Sequence, residues 1–356
     1  MKNRNILRGL YLSLGTAFLA ICVSHCSSPT DTPVVTPVNR IIWTKYAANP
    51  AFKKANFMTE FYAIGQPTCL FENGTFKMWY VAGGLPYITS RLLYAWSIDG
   101  ITWTKYGSGA SVMDPGGTGS WDVCMDTPEI LHDATGYKLY FFGDTMPGGS
   151  NLKPSFRASI GVATSSDGIH WTKYPGNPVL THGSNTEWDR SWIESPAVLW
   201  DSATGTYLMW YSGVDTTSWN ICIGLATSPD GFTWTKYSGN PVLRPGPTGS
   251  HDDMWVAVPA VIKTDNQYQM WYSCFSSKTA YSNLSIGYAT SPNGINWTKF
   301  SGNPLFDTHT PPHTATVDSC GPWAPDVVFD GNEYKMWYET QSGFCLATST
   351  GQVVKQ

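Results

Sequence analysis

The strongest constraint on the fold is an internal repeat. A Trp-Thr-Lys run followed by Tyr or Phe occurs five times, at intervals of 60, 68, 63 and 63 residues. The five runs begin at Trp43, Trp103, Trp171, Trp234 and Trp297. Regular self-similarity of this kind is typical of folds in which one supersecondary unit is copied and each copy packs on its neighbours.

Each repeat contains four short runs of strand character. A proline-bearing run comes first, followed by an aromatic run such as Met209-Trp210-Tyr211, a small-residue run such as Ile223–Ser228, and the Trp-Thr-Lys run. Asp-Gly and Asn-Gly pairs between the runs favour tight turns. The pattern predicts an all-β fold over residues 41–350, a five-bladed β-propeller with four antiparallel strands per blade.

The two ends of the repeated region predict how the propeller closes. The last repeat ends at Ser349 without its own Trp-Thr-Lys run, and the first run, at Trp43, has no repeat before it. We therefore expect the N-terminal strand to complete the last blade and close the ring, which would protect the sheet edge.

The first 40 residues predict export. Residues 1–26 combine Lys2, Arg4 and Arg8 with an apolar run from Leu10 to Val23 and end in a lipoprotein-like cleavage box at Cys26, the predicted lipidated residue. An ordinary signal peptide cut nearby is the alternative. Residues 27–40, rich in Ser, Thr and Pro, read as a flexible tether. We expect a monomeric lipoprotein, periplasmic or on the cell surface, that contacts the membrane only through its N-terminal lipid.

The net charge and the motifs limit the kinds of partner and cofactor that the sequence predicts. Removal of residues 1–25 takes away three basic residues and changes the net charge from −4 to −7, and no Lys/Arg cluster remains, so nucleic acid is not an expected partner. No phosphate loop and no Cys-x-x-Cys pair occurs, so no cofactor or metal is expected, with a calcium ion in the channel left open. Six cysteines lie outside residues 1–26, and the sequence does not determine which of them pair in disulfides.

The repeat also separates scaffold from chemistry, because a residue present in every copy is structural. Two positions before the repeated proline, the copies carry Gly65, Asp126, Glu194, Ala257 and Trp323. Two of these are carboxylates in adjacent copies. Since this position opens the innermost strand, we expect Asp126 and Glu194 to lie at one mouth of the central channel.

The loops that rim this mouth supply further candidates. An acid lies six or seven residues before the proline in every copy, which suggests a structural turn residue, but Asp122 and Asp189 are kept as catalytic candidates. Tryptophans near the strand starts are candidate platforms for sugar rings, with packing between blades as the alternative: Trp121, Trp192, Trp255 and Trp323. A mouth that mixes tryptophan with carboxylates suits saccharides, so carbohydrate is the expected ligand.

With these motifs the chain resembles the five-bladed propeller glycoside hydrolases of families 43 and 32. The resemblance implies that Glu194, in Glu194-Ser195-Pro196, is the general acid and that Asp126 orients it and raises its pKa. The first-blade general base of that pattern is replaced by Gln66, which cannot accept a proton from water. Glu60, Asp122 or Asp189 could then supply the base, and Gln66 would contact substrate.

Four functions remain open from the sequence. An inverting glycoside hydrolase acting on a poly- or oligosaccharide agrees best with Glu194 and Asp126. A non-catalytic glycan-binding lipoprotein would explain Gln66 as a lost base. A lyase acting on acidic polysaccharide would need a base beside cationic groups, and a propeller for protein–protein contacts would need none of these residues.

Overall fold

The protein was analysed as a computed structural model that describes residues 40–55, 60, 63–83, 90–145, 158–218, 220–264, 267–277, 284–308, 310, 321–350 and 353–354. These residues form an all-β structure that includes a short 3-10 segment at Tyr106–Ser108. No helix within these ranges is long and apolar enough to cross a membrane. The predicted export signal, Cys26 and nearly all of the tether lie outside them.

The strands group into antiparallel units, numbered here 1 to 5 in chain order. Their bounds are as follows. Unit 1 has Ala63–Glu72, Thr75–Gly83, Ser90–Ser97, Thr104–Lys105 and Ser111–Met113. Unit 2 has Cys124–Asp133, Gly136–Asp144, Ala158–Ser165 and Thr172–Lys173. Unit 3 has Trp192–Asp201, Thr206–Asp215, Asn220–Ser228 and Thr235–Lys236. Unit 4 has Trp255–Thr264, Gln267–Phe275, Leu284–Ser291 and Thr298–Lys299. Unit 5 has Trp323–Phe329, Tyr334–Thr340 and Gly343–Ser349 and is joined by Thr44–Lys45 and Phe52–Lys53. A separate pair joins Arg40–Ile41 to Val353–Val354.

Within each unit the strands pair in sequence order, from an inner strand through a second and a third to an outer strand. The inner strand carries the repeated proline, and the outer strand is the Thr-Lys pair of the Trp-Thr-Lys run. In unit 5 the outer strand is Thr44–Lys45, which pairs antiparallel with the third strand through Thr44 and Thr348. The pairing expected between the N-terminal strand and the last repeat is therefore present.

The inner strands lie next to one another. The inner strand of unit 1 contacts those of units 2 and 5, that of unit 3 contacts those of units 2 and 4, and those of units 4 and 5 contact each other. Units 3 and 4 also share one eight-stranded sheet through a single parallel bridge between Ile221 and Trp255. Each proline-bearing strand thus lies beside the proline-bearing strands of two other units.

The repeated tryptophans hold neighbouring units together. The indole of the Trp-Thr-Lys run meets the second-strand aromatic of the preceding unit edge to face, as in Trp103–Trp337 at 5.6 Å and Trp43–Trp271 at 5.7 Å between ring centroids. The second-strand indole also donates a hydrogen bond to the turn of the next unit, as from Trp210 Nε1 to Gly294 O at 2.8 Å. Burial of each such ring stabilises the fold by a few kcal/mol, about 2–3.

Every inner strand has a β-bulge at its proline. The residue before the proline has a positive φ in all five units, although none of these residues is glycine: Gln66 at 51°, Thr127 at 46°, Ser195 at 51°, Val258 at 48° and Ala324 at 46°. L-residues rarely adopt this left-handed conformation, and it concentrates at functional sites. Because the bulge recurs in all five units, it belongs to the repeated scaffold, and the residues beside it that differ between units are the candidates for a site.

Candidate active site

The bulges turn a backbone N–H of each inner strand toward a neighbouring unit. A side chain accepts that N–H in four units: Thr127 Oγ1 from Ser195 at 3.1 Å, Ser212 Oγ from Val258 at 2.9 Å, Ser273 Oγ from Ala324 at 2.9 Å, and Glu339 Oε2 from Gln66 at 2.9 Å. In unit 2 the carboxylate of Asp126 accepts the N–H of Thr127 at 2.8 Å. Units 3 and 4 thus use a serine where unit 5 presents a carboxyl group.

Glu194 lies on the inner strand of unit 3, paired with Ser212 of the second strand. Its side chain is buried, and Trp192 Nε1 donates a hydrogen bond to Oε2 at 3.3 Å. Burial raises the pKa of Glu194 to about 8. The carboxyl group is therefore protonated at neutral pH, the form that a general acid needs, and burial supplies the effect that the sequence analysis expected from the charge of Asp126.

Asp126 occupies the equivalent place on the inner strand of unit 2, paired with Phe142. It is half-buried, and burial raises its pKa to about 6, against the opposing effect of the Thr127 N–H. Asp126 is therefore mainly ionised at neutral pH. The structure gives the two carboxyl groups different protonation states, as in sites that combine an acid with a base.

Glu339, on the second strand of unit 5, is a third carboxyl group, which the sequence analysis missed. It pairs with Trp323 and is only 2% exposed. Gly65 leaves room for it, since a Cβ atom at that position would lie 3.1 Å from Glu339 Oε2. Burial, and then the charge of Asp126, raise the pKa of Glu339 to about 8.

The sequence did contain a signal for Glu339. Five residues pair with the positions two before the proline, and they follow the aromatic run of each second strand: Val81, Phe142, Ser212, Ser273 and Glu339. Glu339 is the acid in this set. Comparing the second strands as the inner strands were compared would have found it.

In units 1, 2 and 5 the residue directly after the proline is polar, and its side chain accepts a backbone N–H group of the next unit. Thr68 accepts from Ile130 at 3.1 Å, Glu129 from Val198 at 3.0 Å, and Asp326 from Cys69 at 2.7 Å. Burial and the nearby charge of Asp326 raise the pKa of Glu129, and burial raises that of Asp326 to about 7. Sequence reasoning did not consider this position. Glu129 and Asp326 line a cavity with the prolines and the five bulge residues.

Asp122 and Asp189 occupy a different environment. Each makes an ion pair of 2.5 Å with the lysine of an outer strand, Lys173 and Lys236 respectively. Glu60–Lys105 and Asp252–Lys299 repeat this pair at 2.6 and 2.5 Å. Because the lysine lies on the outer strand and the pair recurs in four units, the structure favours a structural role for these acids and gives no support to catalysis by Asp122 or Asp189.

The tryptophans predicted as sugar platforms are packed in the core. Trp192, Trp255 and Trp323 are 1%, 1% and 6% exposed. Trp121 stacks on Phe141, and its ring fills the space over two glycines: Gly143 and Gly161. Rings buried in this way offer no face to a sugar, so the structure favours the packing alternative for all four.

Gln66 belongs to the inner strand of unit 1, directly before Pro67. It lines the cavity, and its Oε1 atom is buried without a hydrogen-bond partner among the described residues. The same is true of Ser195 Oγ. Within the described ranges, no group of three or more His, Cys, Asp or Glu side chains is arranged to hold a metal ion.

Comparisons with known proteins agree with this architecture. The chain is similar to a glycosyl hydrolase from Bacteroides ovatus, with a TM-score of 0.68, 16% identity, and coverage of 88% of this chain and 95% of the other. It is also similar to a thermostable family-43 glycoside hydrolase, with a TM-score of 0.59, 19% identity, and coverage of 80% and 88%. The protein thus has a glycoside-hydrolase-like propeller fold.

The relatives found by sequence include uncharacterised proteins. An uncharacterised protein of Mycobacterium tuberculosis is 25% identical over 271 residues, which cover 72% of this chain and 83% of that protein. No protein-family model matches the chain. Function therefore has to be argued from the site itself.

Proposed function

We propose that the protein is a glycoside hydrolase that cleaves a poly- or oligosaccharide with Glu194 as general acid. The observation that carries this proposal is the buried carboxyl group of Glu194 on the inner strand of unit 3. Burial raises its pKa to about 8, which favours the protonated form that a general acid needs at neutral pH. Asp126, at the equivalent place in the adjacent unit, has a lower pKa of about 6.

The fold proposal that accompanies this function is a closed five-bladed propeller, with units 1 to 5 as the blades. Its support is the cyclic order in which the inner strands contact one another and the pairing of Thr44–Lys45 with unit 5. Closure would surround the site with five inner strands and would fix Glu194 relative to the other units.

The remaining sequence predictions are kept as proposals. We propose that the chain is exported and anchored through a lipid on Cys26, that residues 27–40 tether a monomeric domain, and that no cofactor takes part. A carbohydrate partner is supported by the hydrolase-like fold. An exported hydrolase on a tether would reach glycans beyond the membrane that holds it.

The test is a Glu194→Gln variant of the mature chain, assayed beside wild type for sugar release from plant, algal and host polysaccharides. We expect wild type to release sugar and the variant to lose about 10²-fold or more, the usual effect of removing a general acid. Asp167→Asn is a matched control, because Asp167 is an exposed acid in the turn that follows the third strand of unit 2.

One observation favours a non-catalytic glycan-binding protein instead, namely Gln66 in the place of a first-unit base. The same assay separates the two functions. If neither protein releases sugar but both bind one glycan with equal affinity, Glu194 does not act as an acid and the binding function replaces the hydrolase.

A further inference from the structure

We propose that Glu339 is the general base of this site. The proposal rests on the glycoside hydrolase function stated above and assigns the residue that replaces Gln66. It depends on where the Glu339 side chain lies, on why a carboxyl group is needed there, and on its relation to Glu194.

The position of Glu339 compensates for the missing carboxylate of unit 1. Its Oε2 atom accepts the backbone N–H of Gln66 at 2.9 Å, so a carboxyl group lies directly against the residue that interrupts the expected pattern. Gly65, which would otherwise project a side chain here, provides the space, with its hypothetical Cβ 3.1 Å from Oε2. A carboxyl group from unit 5 is thereby brought to the inner strand of unit 1.

Linking the two units does not require a carboxyl group. Ser212 and Ser273 form the same hydrogen bond from equivalent positions of units 3 and 4, at 2.9 Å in both cases. A buried carboxyl group is more costly than a hydroxyl, because its ionised form loses hydration. The buried acids that recur through the units as structural residues, such as Asp189, are paired with lysine, whereas no ion pair of Glu339 is found among the described residues. A serine hydroxyl is therefore sufficient to link two units at this position, and the link does not explain why Glu339 carries a carboxyl group.

Glu339 and Glu194 lie on opposite sides of the central region. Glu339 reaches the interface of units 5 and 1, and Glu194 belongs to unit 3, which is separated from that interface by unit 2 on one side and unit 4 on the other. An inverting hydrolase needs its acid and base on opposite faces of the sugar. Asp126, in the unit next to Glu194, is less suited to the far side.

The charges around Glu339 make it a stronger proton acceptor. Its pKa is raised to about 8 by burial and by the charge of Asp126. The other residues that face it do not titrate near neutral pH: Gly65 and Gln66 of unit 1, Trp323 of the paired inner strand and Phe344 of the third strand. Glu194 and Glu339 both have a pKa of about 8, so the reacting form, in which Glu194 is protonated and Glu339 is ionised, is most populated near pH 8.

Gln66 then has a role beside the base. Its buried Oε1 atom, without a partner among the described residues, can accept a hydrogen bond from the water that Glu339 deprotonates. In the reaction the bond from the anomeric carbon to the leaving oxygen breaks, and Glu194 donates its proton to that oxygen. The water oxygen bonds to the anomeric carbon, and its proton passes to ionised Glu339. Proton exchange with solvent restores both groups.

The test uses the mature chain with Glu339→Ser, which installs the residue found at the equivalent positions of units 3 and 4, and Glu339→Gln in case the serine variant does not fold. Ser273→Ala is the matched control for loss of the same inter-unit hydrogen bond. Each protein is assayed on the oligosaccharide that wild type cleaves and on dinitrophenyl glycosides of common pentoses and hexoses, whose leaving group needs no acid.

We expect the Glu339 variants to lose on the order of 10²–10⁴-fold on both substrates, whereas Glu194→Gln should lose activity mainly on the oligosaccharide. Asp126→Asn should move the acidic limb of the wild-type pH profile to lower pH, because loss of the negative charge lowers the pKa of Glu339. A Glu339→Ser protein as active as Ser273→Ala, or an unmoved acidic limb, would overturn the base assignment and leave the hydrolase in place. Wild type inactive on every substrate would instead remove the proposed function and the base assignment with it.

Discussion

Trp210 of unit 3 packs against unit 4, and Trp271 is the equivalent residue of unit 4, which packs against unit 5. Both indoles are fully buried. Trp210 Nε1 donates to Gly294 O at 2.8 Å. Trp271 Nε1 is buried without a hydrogen-bond partner among the described residues, and unit 5 takes its outer strand from the N-terminal region, where no Asp-Gly or Asn-Gly turn precedes Trp43.

The two Trp→Phe substitutions should therefore differ in cost. Both remove a similar part of a buried ring and leave a similar cavity. Trp210→Phe also loses a hydrogen bond worth about 1 kcal/mol, while Gly294 O keeps the bond from Trp297 Nε1 at 3.0 Å. Trp271→Phe instead removes a buried N–H that has no partner within the described ranges, and the desolvation of such a group costs about 1–3 kcal/mol. Trp210→Phe should be the more destabilising by about 2–4 kcal/mol.

Equilibrium urea unfolding of both variants and of wild type, followed by tryptophan fluorescence and by circular dichroism, measures this difference in the free energy of unfolding. Two probes are needed because the substitutions change the fluorescence itself. Equal destabilisation by the two variants, or a larger effect at Trp271, would refute the reasoning, since it would show that the hydrogen bond to the neighbouring turn does not stabilise the unit interface.

Two further predictions concern buried charges. Glu194→Gln should stabilise the fold at alkaline pH: the pKa of this acid rises from 4.5 in the unfolded chain to about 8 in the fold, so wild type is fully stabilised below pH 4.5 and loses this stability as the pH rises to 8. The variant should gain several degrees in Tm at pH 8.5 and little at pH 4.5, as measured by calorimetry, and a gain that does not depend on pH would contradict the shift. Lys236→Met should destabilise the protein by about 3–5 kcal/mol at pH 7 in urea unfolding, because it leaves Asp189 buried and unpaired, and adding Asp189→Asn should restore part of the loss.

The architecture followed from the sequence because repetition supplies its own control. The four-strand pattern, the aromatic second strands and the completion of the last unit by the strand at Thr44 were all visible in the spacing of a few motifs. The all-β prediction is confirmed. These features depend on local periodicity and turn chemistry, which are written along the chain in every copy.

The site was predicted only in part. Comparison of inner strands selected Asp126 and Glu194, which the structure places as equivalent residues on adjacent inner strands. The same comparison missed Glu339, because that side chain belongs to a second strand and reaches the site across an interface between units. Tryptophans chosen for their chemistry, such as Trp255, were buried, since proximity to a loop in sequence does not reveal which way a ring packs.

By itself, the sequence determined the repeated unit and its strand order, because the copies share them. It also determined the two acids that break the repeat, because each of them differs from the equivalent residue of the other copies. Only the tertiary structure decided the environment of each charge. Asp189 is neutralised by a lysine of an outer strand, Glu194 is held protonated by burial, and Glu339 lies within the influence of Asp126. Protonation depends on solvent exclusion and on distances between units, and neither quantity is encoded at any single position of the chain.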